Sequence, residues 1–232
     1  MDDASPAEQA LWRLAVDQLP DDVPVLPQVA MTVPAAGRPR EAEADLVLID
    51  PSHGITVVEV KGGVLEYDAR RAAWRRTSGR HPKPVRDPVA QAKRARSILE
   101  TAIKASGTQH PGAIAMRWAV ATPDCRLEAP GEPVLPGNQL WDALAGDQLE
   151  RLYRSTCGPL TTGEQPLGDD RARYLADYLR GRTRSGRGVL STAVDDHEVR
   201  VRLHTESHRN VLKTIWRHPH VLVRGSGWIR RW

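Results

Sequence analysis

Cysteine and long apolar runs are scarce in this 232-residue chain, and each scarcity excludes a class of protein. The two cysteines, Cys125 and Cys157, are far apart, so they predict neither a disulfide framework nor a zinc site. No apolar run is long enough to span a bilayer, and the N-terminus is acidic rather than basic and then apolar. We therefore expect a cytoplasmic protein with reduced thiols, without a signal peptide or membrane anchor.

Histidine also lacks a metal-binding pattern. His204 and His208 have the i, i+4 spacing of a zinc protease helix, but Thr205 stands where the catalytic glutamate is needed. The sequence therefore excludes this class of zinc enzyme.

Two β-favouring runs joined by a turn are the most informative part of the sequence. The first run begins with Asp45, and the second ends with Glu59-Val60-Lys61. The turn between them ends with Gly54, where a left-handed backbone is often required. Because side chains alternate along a strand, a three-residue loop would set Asp45 across from Glu59 or Lys61. Loops of two or four residues would place it on the opposite face, and the glycine-terminated turn favours three.

Two carboxylates and an ammonium above one sheet suit the hydrolysis of a phosphodiester. Mg²⁺ prefers oxygen ligands and usually takes one or two carboxylates. Asp45 and Glu59 would supply these, together with the backbone carbonyl of Val60. Lys61 would orient the attacking water, help to deprotonate it, or neutralise charge on the phosphate. The alternative is a solvated strand face on which Glu59 and Lys61 form an ordinary ion pair.

The motifs around this hairpin follow a recognisable order. They are a helix opened by Ser5-Pro6-Ala7-Glu8, a strand over 23–26, a hairpin that ends at Trp74, the segment Asp87-Pro88-Val89-Ala90-Gln91 and a strand over 120–124. Together they resemble the nuclease-related domain (NERD), a family similar to the PD-(D/E)xK nucleases. Asp87 replaces the asparagine of the family's Asn-Pro-x-x-Gln signature. The resemblance covers residues 5–125 and implies an α/β, restriction-endonuclease-like fold, with a mixed central sheet flanked by helices.

The resemblance also implies roles for individual residues. The implied catalytic residues are Asp45, Glu59, Lys61 and Gln91, and the implied metal ligands are Asp45, Glu59, Val60 and Glu8. Glu8 has an alternative role, because Ser5 to Glu8 is a capping box in which the glutamate bonds back to the N-cap. Gln91 could equally be an ordinary exposed residue in the first turn of its helix. Glu43 would support the site or be an edge charge.

Cations dominate the segment after the hairpin, where Asp87 is the one acid between residues 70 and 96. A basic surface beside a metal site would gather a phosphate backbone without choosing its sequence. The expected contacts are Arg70, Arg71, Arg75, Arg76, Arg80, Lys83, Lys93 and Arg94. The alternative is a solvated basic face, which is what most charge runs form.

The second half of the chain has a different character. Residues 126–138 are rich in proline and glycine, and leucines at helical spacing in 139–153 and apolar residues in 170–180 predict helices. The predicted organisation is a nuclease-related domain over 1–125, a mostly helical extension over 126–180, a basic linker over 181–188 and a helicase-like tail over 189–232.

The tail resembles the start of a superfamily 1 helicase. His208 stands where the adenine-reading glutamine is expected, and Gly225-Ser226-Gly227 is followed by Trp228 instead of the lysine that a phosphate-binding loop needs. We therefore predict no ATPase activity and no nucleotide cofactor. The tail is either a helicase cut short or an independent segment, and a helicase or another partner chain would dock through it.

The sequence thus predicts a metal-dependent nuclease that uses Mg²⁺ or Mn²⁺, acts on DNA in preference to RNA, and serves DNA processing or repair. One alternative is a catalytically inactive DNA-binding accessory module of a helicase-type system. A second alternative is a domain whose acidic and basic faces recruit other proteins.

Overall fold

A five-stranded mixed sheet with helices on both faces forms the centre of the fold in the computed structural model. The structure describes residues 4–34, 38–77, 82–106, 112–127, 130–131, 134–143 and 148–180. The predicted linker 181–188 and the helicase-like tail 189–232 lie outside the described residues, so both remain predictions.

The elements are as follows in chain order. The helices are α1 (Pro6–Gln18), α2 (Pro88–Ala105), α3 (Leu149–Cys157) and α4 (Asp169–Arg180), with a 3-10 helix at Gly137–Gln139. The strands are β1 (Val25–Val33), β2 (Arg40–Asp50), β3 (Gly54–Val60), β4 (Leu65–Asp68), β5 (Ala73–Arg76), β6 (Lys83–Pro84), β7 (Ala113–Ile114), β8 (Met116–Thr122), β9 (Leu140–Asp142) and β10 (Glu164–Gln165).

The central sheet has the strand order β1-β2-β3-β8-β9. The pairs β1–β2 and β2–β3 are antiparallel, whereas β3–β8 and β8–β9 are parallel. A parallel pair requires a crossover, and α2 lies within the one that joins β3 to β8. Strands β4, β5 and β6 form a second sheet, and β7 pairs with β10.

The β2–β3 hairpin has the loop length that its turn chemistry predicts. The ladder runs from the pair Leu46–Val58 to the pair Asp50–Gly54, which leaves a three-residue loop. Gly54 has a φ of +94°, and a Cβ there would lie 2.2 Å from the carbonyl oxygen of Ala115. A side chain is therefore excluded at this position by both conformation and space. The predicted three-residue loop is confirmed.

Both faces of the central sheet are covered because successive residues of β3 alternate between two apolar clusters. Val57 lies in the cluster that contains α2 and α4, and Val58 lies in the cluster that contains α1 and α3. All of β3 is buried. This double burial explains why its sequence is an almost continuous apolar run.

The two helices nearest the predicted site begin at the residues that the sequence indicates. The Ser5 hydroxyl accepts from the backbone N–H of Glu8 at 3.3 Å and caps α1. The Asp87 carboxylate accepts from the N–H groups of Val89 and Ala90 at 2.9 and 3.2 Å and caps α2. Aspartate caps a helix as well as the asparagine of the family signature, and its charge suits the helix dipole.

The region after β8 differs from its prediction. Leucine spacing over 139–153 predicts a helix, but Leu140–Asp142 form β9, and the helix begins at Leu149. Pairing with β8 and complete burial of Trp141 outweigh the helical spacing. Helices α3 and α4 do lie within the predicted extension, but they pack into the same two apolar clusters as β1–β3. The two apolar clusters therefore contain residues from both sides of the predicted boundary at residue 125.

A buried network joins the β2–β3 turn to α3. The Asp50 carboxylate accepts from the Tyr153 hydroxyl at 2.8 Å and from the N–H groups of Ser52 and His53 at 2.7 and 3.0 Å. Burial by itself would raise the pKa of Asp50. The hydrogen bonds from Ser52, Tyr153 and His53 outweigh burial, so the pKa is lowered from 3.8.

We expect Tyr153→Phe to lower the free energy of unfolding by about 1–3 kcal/mol, because the Asp50 carboxylate loses a buried donor. Urea unfolding at pH 7 measures this difference. Since the pKa of Asp50 is lowered in the folded state, its stabilisation is present above pH 3.8 and is lost as the pH falls through the folded value, so the difference should shrink in acid. Tyr174→Phe is the control, because Tyr174 is 45% exposed. Equal stability of Tyr153→Phe and wild type at pH 7 would contradict the role of this bond.

Candidate active site

Strands β2 and β3 separate at Asp45. Their ladder ends at the pair Leu46–Val58. The next N–H of β3 that points towards β2 is that of Val60, and it donates to Asp45 Oδ2 at 2.7 Å. Strand β3 meanwhile stays paired with β8 along its other edge. A carboxylate thus occupies the gap between two neighbouring strands, and the register extended by one residue places it opposite Glu59.

Glu59 and Lys61 form a buried ion pair beside this gap. Glu59 is 3% exposed, and its carboxylate accepts from the Lys61 ammonium. The Lys61 side chain is 17% exposed. The solvated strand face that the sequence alone allowed is therefore wrong for this pair, because solvated charges would not be withdrawn from water to this extent. The structure brings Asp45, Glu59 and Lys61 together, as the register predicted.

Glu8 has one contact within the cap of α1 and one with a residue of β1. Its Oε1 accepts from the Ser5 hydroxyl at 2.8 Å, so it takes part in the cap of α1. Its Oε2 accepts from the side-chain amide of Gln28 at 3.4 Å. The Glu8 charge also acts on the carboxyls of Asp45 and Glu59. Capping and a place beside the site are therefore compatible.

Burial and repulsion from neighbouring carboxylates raise the pKa of both central carboxyls. For Asp45 the largest cause is burial, followed by the charge of Glu59, and the pKa rises to about 7. Burial is also the largest cause of the raised pKa of Glu59, to which the charges of Glu8 and Glu43 contribute while Lys61 opposes the shift. The carboxylates are therefore held together at an electrostatic cost that Lys61 offsets only in part.

The carboxyl oxygens fit a hard divalent cation. No group of three or more acidic, histidine or cysteine side chains in the described ranges has the arrangement of a metal site. Mg²⁺ does not need one, because it usually takes one or two carboxylates and completes its shell with water and substrate oxygens. Asp45 and Glu59 supply two carboxylates whose repulsion a cation would relieve. Two further oxygen ligands are available. The Val60 carbonyl follows Glu59 in the chain, and the charge of the Glu8 carboxylate acts on both central carboxyls.

Gln91 places a buried polar atom at the start of α2. Its Oε1 has no hydrogen-bond partner among the residues that the structure describes. The neighbouring Val89 lies in an apolar cluster with Val120, which is the partner of Glu59 in the β3–β8 ladder. Burying an unpaired carbonyl oxygen costs about 1–3 kcal/mol. Gln91 is therefore not the ordinary exposed residue that the sequence also allowed.

Gln28 is a residue of this region that the sequence did not indicate. It is 7% exposed and has a φ of +49°, although it is not glycine. Its neighbours pair as Pro27–Leu46 and Val29–Ala44, so it lies opposite Asp45. No glycine, asparagine or turn motif marks the position, and the contact with Glu8 joins residues from different elements. The feature that marks Gln28 as unusual is therefore its positive φ, which only the structure reveals.

Some of the predicted basic residues already have partners within the chain. Arg71 and Arg75 both contact the Asp68 carboxylate at 3.4 Å. Arg94 donates to a backbone carbonyl of β2 at 3.0 Å, and Lys93 lies 5.0 Å from the centre of a tryptophan ring. These side chains contribute charge to the surface but are less free to take a phosphate.

Three predicted cations are exposed, and their side chains have no ion pair or hydrogen bond within the described ranges: Arg70, Arg76 and Lys83. Arg76 and Lys83 are direct partners in the β5–β6 ladder. Like charges in this position disfavour strand pairing, so the fold itself does not require them. Arg76 also pairs with Leu65, which follows Lys61 by four residues in the chain. Arg80 lies outside the described residues.

Comparison with known families supports the resemblance seen in the motifs. Residues 4–116 match the sequence model of NERD, the nuclease-related domain, which implies a nuclease-related function. The match includes the strand hairpin and the start of α2, and it ends where β8 begins, so the helicase-like tail lies beyond it. Neither the curated proteins nor the solved structures gave a significant match. Among the described helices, none is both long and apolar enough to cross a membrane.

We expect Asp45→Asn to stabilise the metal-free protein at pH 8. The pKa of Asp45 rises from 3.8 to about 7 on folding, so the wild type loses stability as the pH rises between these values. Asparagine keeps an oxygen for the Val60 N–H but carries no charge. Its melting temperature should exceed that of wild type by roughly 2–6 °C at pH 8 and match it near pH 4. Asp22→Asn, at an exposed turn position, should follow wild type. A melting temperature below that of wild type for Asp45→Asn at pH 8 would show that the ionised Asp45 carboxylate does not destabilise the folded protein.

The two groups of cations predict different effects on nucleic-acid binding. We expect Arg76→Gln combined with Lys83→Gln to weaken binding to a DNA duplex and to reduce the slope of log K against log salt by about 2, since two phosphate contacts are lost. The matched control is Arg71→Gln with Arg75→Gln, which removes the same charge from residues paired with Asp68. Fluorescence anisotropy at several salt concentrations measures both. Equal slopes for the two double variants would contradict the division of the cations into those paired with Asp68 and those available to bind phosphate.

Proposed function

We propose that this chain, whose residues 4–116 match the nuclease-related domain, hydrolyses phosphodiester bonds of nucleic acid with the help of Mg²⁺ or Mn²⁺. The observation that carries the proposal is the Asp45 carboxylate in the gap between β2 and β3, beside the buried pair of Glu59 and Lys61. Apolar side chains at these positions would stabilise the fold better than closely spaced charges do. Such clusters with raised pKa values are typical of sites that perform chemistry.

Each side chain has a separate role in the proposed reaction. Asp45 and Glu59 would hold the metal, and the Val60 carbonyl and Glu8 would offer further oxygens. When bound, the metal would polarise a phosphoryl oxygen and lower the pKa of bound water. Lys61 orients the attacking water and neutralises the negative charge that develops on the phosphate. Gln91 supplies a buried amide oxygen that accepts a hydrogen bond from that water.

The exposed cations support a nucleic acid as the substrate. Arg70, Arg76 and Lys83 present charge on the small sheet that follows Lys61 in the chain, and such charge attracts a phosphate backbone whatever its base sequence. We propose DNA in preference to RNA, and a role in processing or repairing DNA.

A DNA-binding module without catalytic activity is the second candidate. The Lys61 ammonium already lies against the Glu59 carboxylate, and a cation bound there would compete with it. If the ion pair between Lys61 and Glu59 is more stable than metal binding at Glu59, the chain would still bind nucleic acid through its basic surface but would not cleave it.

Cleavage assays with Asp45→Ala and Lys61→Ala test the proposal. Plasmid, single-stranded DNA and RNA of matched sequence are incubated with Mg²⁺, with Mn²⁺ or with EDTA. We expect wild type to cut DNA with metal alone and each variant to be slower by about 10²–10⁴-fold. Lys104→Ala and Asp22→Ala are controls, because both residues are exposed and neither belongs to the proposed site.

Each outcome of these assays selects one candidate. Metal-dependent cutting that both site variants abolish supports the nuclease, and cutting that survives Asp45→Ala excludes the proposed site. Binding without cutting supports the accessory module. A chain that neither binds nor cuts nucleic acid is left with the protein-interaction role.

A further inference from the structure

Gln28 has a backbone conformation that residues with a side chain rarely adopt inside a strand. Its φ of +49° is in the left-handed region. The pairs on either side, Pro27–Leu46 and Val29–Ala44, keep the same register, so no residue is inserted at this point. A strained conformation of this kind persists where the surroundings hold it in place, and such residues concentrate at functional sites.

The left-handed residue changes which side chains of β1 face the core. Leu26 precedes Gln28 and Val29 follows it, and both lie in the apolar cluster that contains α2. The β1 residues in this cluster therefore have even numbers before Gln28 and odd numbers after it. In β2 the residues in this cluster change from even numbers, such as Ala44, to odd numbers, such as Val47, on passing Asp45. Gln28 and Asp45 therefore lie opposite each other at the point where the alternation of side chains between the two sheet faces shifts by one residue in both strands.

The Gln28 side chain is turned to Glu8 by this backbone. It is 7% exposed, and its Nε2 donates to Glu8 Oε2 at 3.4 Å, while the Ser5 hydroxyl donates to Glu8 Oε1 at 2.8 Å. Donors thus hold both oxygens of this carboxylate. Its charge acts on the carboxyls of Asp45 and Glu59.

We propose that Gln28 is a positioning residue, whose left-handed backbone aims its amide at Glu8 and so holds that carboxylate towards Asp45 and Glu59. A position that served the fold alone would be better filled by glycine, which takes this φ without strain and needs no buried amide. The effect on metal affinity rests on the proposed metal-dependent function. The contact between Gln28 and Glu8 does not, and it is measurable without metal.

The test uses Gln28→Gly, Glu8→Gln and the double variant in the full chain. Mn²⁺ affinity is measured by calorimetry, and thermal unfolding is followed without metal. We expect Gln28→Gly to melt no lower than wild type, because glycine relieves the strain, yet to bind Mn²⁺ about 10–100-fold more weakly. The double variant should bind no more weakly than Glu8→Gln, because Gln28 acts through Glu8. Gln165→Gly, at an exposed position of β10, should keep wild-type affinity.

A second variant guards against misfolding. Gln28→Asn tolerates the left-handed backbone, but its amide is one methylene shorter and should also bind Mn²⁺ weakly. Wild-type affinity in both Gln28 variants, or additive losses in the double variant, would overturn the proposal. If wild type binds no Mn²⁺, the proposed function fails. The metal-free melting temperatures then decide: non-additive shifts for Gln28→Gly and Glu8→Gln support the contact, and additive shifts overturn it.

Discussion

The hydrogen bond from the Val60 N–H to the Asp45 carboxylate is the contact on which the site depends. Two strands that separate within a sheet leave a backbone donor without its partner, and an unpaired buried donor is costly. Here a side-chain oxygen replaces the missing backbone oxygen, so β2 diverges while β3 stays paired with β8. The same bond fixes the carboxylate beside Glu59. The opening in the sheet and the placement of the site are thus one feature of the structure.

The apolar clusters on the two faces of the sheet make this charged gap tolerable. The charge of Glu8 acts on both central carboxyls, and that of Glu43 acts on Glu59, while Lys61 opposes these effects at Asp45 and Glu59. The apolar burial of β3 stabilises the fold and compensates for the repulsion between these charges. This strand is buried along its length, with α2 and α4 on one face and α1 and α3 on the other. A site that strains its surroundings is expected where function and stability conflict.

The basic residues belong to the part of the chain that directly follows the site residues. The chain leaves β3 at Lys61, and the next elements are the three strands of the small β4–β6 sheet, which carry most of these cations together with the segments that connect them. Within that sheet Asp68 holds Arg71 and Arg75, whereas Arg76 and Lys83 face each other across a ladder. The run of cations was visible in the sequence, but their division into paired and free groups was not. That division depends on which strands are neighbours, and the sequence pattern does not encode this.

Features that depend on local interactions could be predicted from the sequence. Turn residues ending in Gly54 indicated the loop length, alternation then placed Asp45 opposite Glu59 or Lys61, and Ser5 and Asp87 marked the starts of two helices. The other features depend on contacts between elements. Leucine spacing predicted a helix over 139–153, yet Leu140–Asp142 became a strand because the edge of β8 was available to pair. The burial of the Gln91 Oε1 atom and the contact of Gln28 with Glu8 likewise depend on elements that meet only after folding, when packing sets a side chain's neighbours.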